Sequence, residues 1–297
     1  MPELPEVETL RRGLERTALD RRVTDLLVTN IKVLKGQSEA IFRERVLGKS
    51  TTKVERRGKY LLITLSDPAV PHPSNAHAVP SPPVFLCIHL KMRGHVRIEE
   101  NAASVPGPYL CVTLYLENLN EPFDTVALRF YDMWTWGEMR ALYADEFERE
   151  APGLFEMGRE PLDAAWGADA LAAKLRTRKS AIKPTLLDQR VVAGVGNIYA
   201  DESLFRAGIR PTRPACTLTA AETERLASAV RSVLAEAVDG GGTASDEFFD
   251  VAGSPGRFVP QVYDRGGKPC PRCGTELMRI RLGGRGTVFC DRCQSAV

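Results

Sequence analysis

Two pairs of cysteines stand near the end of the chain, CPRC at Cys270 and Cys273 and CDRC at Cys290 and Cys293, with sixteen residues between the pairs. Each pair has the spacing of a short metal-binding knuckle, so four thiolates can close a tetrahedron around one Zn2+. A segment this small has no core of its own, and the binding energy of the ion would fold it. One structural zinc ion is therefore expected; a reducing compartment disfavours disulfides. Between the knuckles, a hairpin would project Arg279, Arg281 and Arg285 toward a phosphate backbone.

The opposite end, MPELPEVETL, raises a different chemistry. Trimming of Met1 ahead of a small residue exposes Pro2 as a free secondary amine. An α-amino group titrates near pH ~8, far below lysine, so a useful fraction is nucleophilic at neutral pH. Attack on an aldehyde-like carbon gives an iminium, an electron sink for later elimination, with Glu3 and Glu6 placed to move protons. The alternative reading is a helix whose acidic first turn matches its dipole.

A third stretch is LLDQRVVAGVGNIYADESLFRAGIRP. The pattern predicts a helix ending near Val192, a tight turn permitted by Gly194 and Gly196, and a second helix from about Ile198. Backbone amides and the Asn197 side chain at such a junction favour an anion. With Lys179, Lys183 and Arg190 just upstream, the expectation is a phosphate site, against the alternative of a packed helical hairpin.

The elements that must position these groups read as two kinds of structure. Pro5 suits a first helical turn, with Val7, Leu10 and Leu14 following at helical spacing. Strand-like runs come next: VTDLLVTNIKVL, KYLLITL, VFLCIHL, YLCVTLYL and VALRFY. The six prolines between Ser66 and Pro83 cannot hold a ladder and predict an exposed inserted loop. Past Ala151 the pattern turns helical. Thr219 with Glu222 forms a capping box for a helix running to about Val238, stopped by Gly240, Gly241 and Gly242. The expected organisation is a multidomain α+β chain: a β-sandwich flanked by helices over 1–150, a helical domain over 151–257 and a zinc finger over 258–297.

At 297 residues, 43% hydrophobic and 26% charged, the composition is that of a globular protein. No apolar run approaches the ~20 residues of a membrane span and no secretory signal is visible, so a cytoplasmic location is expected. The net charge of +2 averages over opposed segments: residues 120–170 hold 12 acidic and 4 basic residues, residues 171–214 hold 9 basic and 3 acidic, and residues 257–297 hold 8 basic and 3 acidic. Such asymmetry suggests a localised surface for a polyanion. Cys87, Cys111 and Cys216 read as small core residues.

Taken together, these features resemble the formamidopyrimidine-DNA glycosylase and endonuclease VIII family of base-excision repair enzymes. MPELPEVET is similar to the family's amino terminus, RRGKYLL to its lysine hairpin and IHLKMRG to its intercalation loop. AIKPTLLDQRVVAGVGNIYADESLF resembles its helix-two-turns-helix element, and QVYDRGGKPCPRCG with GGRGTVFCDRCQ its zinc finger. The resemblance implies a bifunctional glycosylase and lyase acting on damaged double-stranded DNA as a monomer, with oxidised purines of the formamidopyrimidine and 8-oxoguanine type as substrates. It implies Pro2 as nucleophile at the sugar C1′, Glu3 as the carboxylate that protonates the sugar, Lys59 as proton donor in β-elimination and Arg285 in δ-elimination. Met92 would fill the gap left by the flipped nucleotide; His89, Lys179, Asn197 and Tyr263 would hold phosphates.

One stretch departs from the pattern. Where the formamidopyrimidine branch carries Asp-Pro-Arg-Arg-Phe-Gly, this chain has Asp132, Met133, Trp134, Thr135, Trp136 and Gly137. An indole at Trp136 stacks on a base as a phenyl ring does, but neither Trp134 nor Thr135 can make a bidentate bond to cytosine. A relaxed opposite-base preference is expected. The altered loop also leaves open an endonuclease VIII-like preference for oxidised pyrimidines, and, against the presence of Pro2, Glu3 and Lys59, a non-catalytic damage-binding protein.

Overall fold

The computed structural model describes residues 1–67, 81–121, 123–245 and 247–295, so most of the proline-rich stretch expected as a loop lies outside the described residues. Contacts divide the chain into two compact units: Met1–Pro2, Glu6–Leu154 and Ser245–Gly256 in one, Glu3–Pro5, Phe155–Ala244 and Arg257–Val297 in the other.

Among the described residues, the first unit is built on eight antiparallel strands. They are β1 (Arg21–Val28), β2 (Ser50–Arg57), β3 (Tyr60–Ser66), β4 (Val84–His89), β5 (His95–Glu99), β6 (Leu110–Asn118), β7 (Thr125–Tyr131) and β8 (Glu138–Leu142). Helix α1 (Leu4–Thr17) precedes them, α2 (Glu39–Val46) lies between β1 and β2, and α3 (Phe147–Glu150) follows β8. The spatial order is β5-β7-β6-β1-β2-β3-β4-β8. The ladder narrows to one pair, Arg22↔Ser50, between β1 and β2, whereas β1 and β6 pair from Arg21↔Asn118 to Val28↔Val112. At that joint it folds into two four-stranded layers. Val23, Val112, Leu128 and Phe130 from one layer share a single buried cluster with Val54, Ile63, Leu86 and Met139 from the other. Val7, Leu10 and Leu14 of α1 bury their helical stripe in the same cluster.

The structure corrects one strand. VTDLLVTNIKVL does not run through: β1 stops at Val28, and the Asn30 side chain accepts the Lys32 N–H to start a 3₁₀ turn, Ile31–Leu34, that buries Val33 and Leu34. Three strands escaped the sequence reading. β2 is too polar (STTKVERR), β5 is short, and β8 is buried along its whole length yet carries Glu138 and Arg140.

The second unit holds α4 (Ala168–Leu175), α5 (Ile182–Leu187), α6 (Asn197–Ala207), α7 (Ala220–Asp239) and a hairpin of β9 (Met278–Leu282) and β10 (Arg285–Phe289). Tyr199, Leu204, Leu226, Val230 and Leu234 share its buried core. Helix α5 ends at Leu187 rather than near Val192, and α6 begins at Asn197. Among the described residues no helix is long and apolar enough to cross a membrane. Cys87 and Cys111 are core residues as expected, and burial pushes the Cys87 thiol up to about 12; Cys216, by contrast, is exposed.

The capping box of α7 forms as expected: Thr219 Oγ1 accepts the Glu222 N–H, and Glu222 accepts the Thr219 N–H at 2.8 Å. Arg213 also clamps Glu222, and that hydrogen-bonded partner holds its carboxyl at about 2, below the ordinary 4.5. A depressed carboxyl stabilises the fold above its unfolded value and loses that contribution as pH falls through the folded one. Glu222→Gln should therefore cost about 1 kcal/mol at pH 7. In urea titrations the gap from wild type should close between pH 4.5 and 2.

Candidate functional site

In the helical unit the anion at the turn before α6 is part of the chain itself. The Glu3 carboxylate accepts the N–H groups of Gly196 at 2.8 Å, Ile198 at 2.9 Å and Tyr199 at 3.4 Å. The Leu4 N–H donates to the Gly194 carbonyl at 3.1 Å. Both glycines are sterically required. A Cβ at Gly196 would stand 2.3 Å from Glu3 Cδ, and one at Gly194, which also sits at φ +81°, would stand 2.6 Å from Leu4 Cβ. Gln189 fastens the turn, accepting from the Gly194 N–H and donating to the Leu187 and Val195 carbonyls. The amides expected to hold a phosphate are taken by the chain's own carboxylate, the one that follows Pro2.

Helix α6 then commits its next acidic residues inward. Glu202, 4% exposed, accepts the N–H groups of Gln261, Val262 and Tyr263. The Tyr263 hydroxyl hydrogen-bonds Asn197, and burial, with the charge of Glu3 second, raises its pKa. Asp201 pairs with Lys183 at 2.8 Å and accepts the Val288 N–H of β10. Burial pushes the Asp201 carboxyl up to about 6 against the pull of that lysine.

Lys183 is where the structure corrects the sequence reading. Its side chain is fully buried, and beyond Asp201 it donates to the Gly286 carbonyl at 2.8 Å and to Thr287 Oγ1 at 2.9 Å. An ammonium offers three donors and all three are taken, so Lys183 cannot hold a DNA phosphate. It anchors the hairpin instead. The hairpin turns through Gly283 and Gly284, both at positive φ, the geometry of a two-residue turn. That turn leaves Arg285 exposed at the start of β10. Lys179 is also exposed; Arg190 is engaged by Asp188.

At the base of the same hairpin the sulfurs of Cys270, Cys273, Cys290 and Cys293 lie within 4.8 Å of one another. Cys270 and Cys293 are 3.9 Å apart and Cys273 and Cys290 3.5 Å. Four thiolates at ~2.3 Å from one tetrahedral ion would be spaced about 3.8 Å apart, so the cluster fits a metal ion.

In the sheet unit, Gly58 at φ +56° and Lys59 make the two-residue turn between β2 and β3. Arg56 braces that turn by donating to the Gly58 carbonyl, and Glu8 of α1 holds Arg56 at 3.1 Å. Lys59 is 9% exposed. His89, at the end of β4, lies edge-on to Tyr60 with centroids 4.5 Å apart. Its Nδ1 accepts the Lys91 N–H, so its proton resides on Nε2. Burial, then the charges of Lys91 and Lys59, lower its pKa well below the usual value, leaving a neutral donor. Met92 is half-buried in the tight turn after β4, where Gly94 N–H bonds the Leu90 carbonyl.

Asp132 builds the turn between β7 and β8. Its carboxylate accepts the Trp134 N–H at 2.9 Å and the Gly137 N–H at 2.6 Å, and a Cβ at Gly137 would meet Phe130 and Asp132 within 3 Å. The turn presents Met133, Trp134 and Trp136 to solvent, each 41% exposed or more. The two indoles lie 4.9 Å apart, and the Arg93 guanidinium stands 5.5 Å over Trp134. Arg93 in turn pairs with Glu247 at 2.8 Å, and Glu247 reaches the Met1 amine at 3.7 Å; Pro2 is buried.

Family models match three stretches of the chain: the formamidopyrimidine-DNA glycosylase N-terminal domain over 1–139, the formamidopyrimidine-DNA glycosylase H2TH domain over 157–248, and the zinc finger found in FPG and IleRS over 267–296. A formamidopyrimidine-DNA glycosylase of Desulfitobacterium hafniense is 39% identical over 99% of this chain and its own full length. The chain belongs to this family. The Geobacter metallireducens enzyme of the same name is 40% identical over 99% of the chain. Among solved structures, the MutM (Fpg) protein of Thermus thermophilus superposes with a TM-score of 0.81 at 36% identity, covering both chains fully. The Lactococcus lactis Fpg in complex with abasic-site DNA matches at 0.81 and 29% identity, covering 99% of this chain and all of that one.

For a glycosylase of this family, several positioning groups went unnoticed in the sequence: Glu8 and Arg56 behind Lys59, Gln189 behind the glycine turn, and Asp201 and Glu202 on α6. A charged residue every third or fourth position on a helix carries no mark of which face is buried. Lys183→Met would leave Asp201 uncompensated in the core and should cost about 3–5 kcal/mol in urea denaturation. Adding Asp201→Asn should recover much of that loss, because the stranded charge is then gone.

Proposed function

We infer that this chain is a bifunctional DNA glycosylase and abasic-site lyase that removes oxidised purines of the formamidopyrimidine and 8-oxoguanine type. The observation that carries the reading is the docking of Glu3 on three amides at the cap and first turn of α6, which holds the carboxylate immediately after Pro2 in one place. After Met1 is removed, the Pro2 nitrogen attacks the sugar C1′ of the damaged nucleotide and expels the base. Glu3 protonates the sugar oxygen as the ring opens to the iminium. Loss of a C2′ proton, with Lys59 as the proton-transfer group, breaks the 3′ phosphate bond, and a second elimination assisted by the exposed Arg285 breaks the 5′ bond.

The duplex is held by groups suited to phosphate: the exposed Lys179, the Nε2–H of neutral His89, and the Asn197 and Tyr263 pair. Met92 fills the space of the flipped nucleotide, and Trp134 and Trp136 stack on the bases beside it. The enzyme acts as a monomer. The four-cysteine cluster holds Zn2+, which supplies folding energy to the hairpin that carries Arg285. Because the loop at residues 133–136 offers no fork of donors to a cytosine, the base opposite the lesion is weakly selected. Substrate breadth is in keeping with a relative: a structure of the Lactococcus lactis Fpg contains DNA with an oxidized pyrimidine, and it matches this chain at a TM-score of 0.81 and 29% identity.

Borohydride added to the protein with abasic duplex DNA should trap a covalent adduct, and Pro2→Gly should reduce its yield sharply, since glycine offers only a primary amine. Full trapping by that variant would contradict the assignment. A duplex panel with 8-oxoguanine opposite each of the four bases should show excision rates within about tenfold of one another, the scale of one lost bidentate contact. Removal of the metal, verified by elemental analysis, should weaken DNA binding and leave the sheet unit's circular dichroism intact.

A further inference from the structure

The indole loop adjoins a cavity none of whose lining residues is given a part in the reaction above. It has a volume of about 500 Å3 and is lined by Arg93, His95, Tyr109, Tyr131, Met133 and Phe249, among others. Val96 and Ile98 of β5 face the sandwich core, so His95, Arg97 and Glu99 lie on the opposite face of the strand. His95 is in register with Tyr131 on β7. Two lining residues tie the cavity to the loop: Met133 lies within it, and Arg93, from the turn after β4, stacks over Trp134.

The lining suits a planar heterocycle with polar edges. Two tyrosine rings and a phenylalanine provide faces, while guanidinium, imidazole and hydroxyl groups provide edge contacts. Tyr109 is held for display. It is half-exposed at φ +65°, a left-handed conformation that bulky residues rarely adopt, and the Asp132 N–H grips its carbonyl at 3.0 Å.

We propose that this cavity receives the unpaired base of the strand opposite the lesion, displaced from the stack by Trp134 and Trp136. The inference rests on the DNA-repair reading above and deepens it. Once the damaged nucleotide is flipped, its former partner has neither a mate nor, in this loop, a hydrogen-bonding fork to meet it. Two indoles occupy the stack more completely than one ring would, and the adjoining cavity gives the orphaned base a face to stack on. Recognition through faces and a few mobile edges accepts any of the four bases, which is the physical form a relaxed opposite-base preference would take.

Gly107 allows the cavity to be filled. A Cβ there would meet Tyr131 Cε1 at 3.9 Å and nothing closer, at a φ open to any residue, so Gly107→Phe places a ring in the space without forcing the backbone. Two duplexes separate the outcomes, each with tetrahydrofuran, an abasic analogue without a base, at the lesion position. One has adenine opposite and the other a second tetrahydrofuran. Fluorescence anisotropy should show Gly107→Phe binding the adenine duplex about tenfold more weakly than wild type, the scale of one base–aromatic stack. The doubly abasic duplex should be bound equally by both proteins. Tyr131→Leu, which removes a wall instead of filling the space, should give the same selective loss, and thermal melts confirm that each variant is folded. Equal loss on both duplexes, or loss on neither, overturns the proposal. Wild-type protein that does not prefer either abasic duplex to an undamaged one would overturn the DNA-repair reading itself, a distinct result.

Discussion

The structure depends on a carboxylate meeting the positive end of a helix. Glu3 supplies the negative charge, and Gly196 at the cap of α6 with Ile198 and Tyr199 in its first turn supply three N–H groups that have no partner within the helix. Such a contact is usually made to a ligand or to a capping residue next in sequence. Here the two partners are 193 residues apart, so the interaction ties Glu3 to a segment distant in the chain. Docking at the start of the helix holds the Glu3 carboxylate in one place. The glycines at positions 194 and 196 are the steric condition for that approach, since a methyl group at either would overlap Leu4 or Glu3.

The same helix distributes its remaining polar groups with similar economy. Asp201 and Glu202 are nearly inaccessible, yet each is satisfied by groups from distant segments: Lys183 and the Val288 amide for one, three amides at residues 261–263 for the other. Buried carboxylates of this kind specify geometry more than they add stability, because their desolvation offsets much of the attraction. Their consequence is positional. The hairpin bearing Arg285 and the segment bearing Tyr263 are both referred to α6, the element that also holds Glu3.

How much of this was legible in the sequence follows from the range of each signal. Cysteine spacing is a local signal, and the four sulfurs converge as the spacing implied. The α7 capping box is equally local, and it forms as read. The glycine turn was legible as a tight turn with free amides, but it was read as a phosphate site, because nothing near Gly196 indicates that a carboxylate at the far end of the chain takes those amides. Lys183 failed for the same reason: beside Lys179 it resembled a phosphate ligand, and only the fold turns it toward Asp201. The ion-bearing β8 was missed because the alternation that reveals a strand is lost where charged residues are buried in pairs, as with Glu138 and Arg140 at 3.2 Å, and β2 because its sequence STTKVERR is polar almost throughout.

The most direct test of the account is the Gly196→Ala variant, in which the added methyl would stand 2.3 Å from Glu3 Cδ and displace it from the helix. Single-turnover cleavage of an abasic duplex, measured alongside thermal melting and metal content, reads the consequence. The folded variant, with the wild type's metal content, should cleave about a hundredfold more slowly, the scale of misplacing an active-site group by roughly an ångström. Cleavage at the wild-type rate by that folded variant would contradict the account.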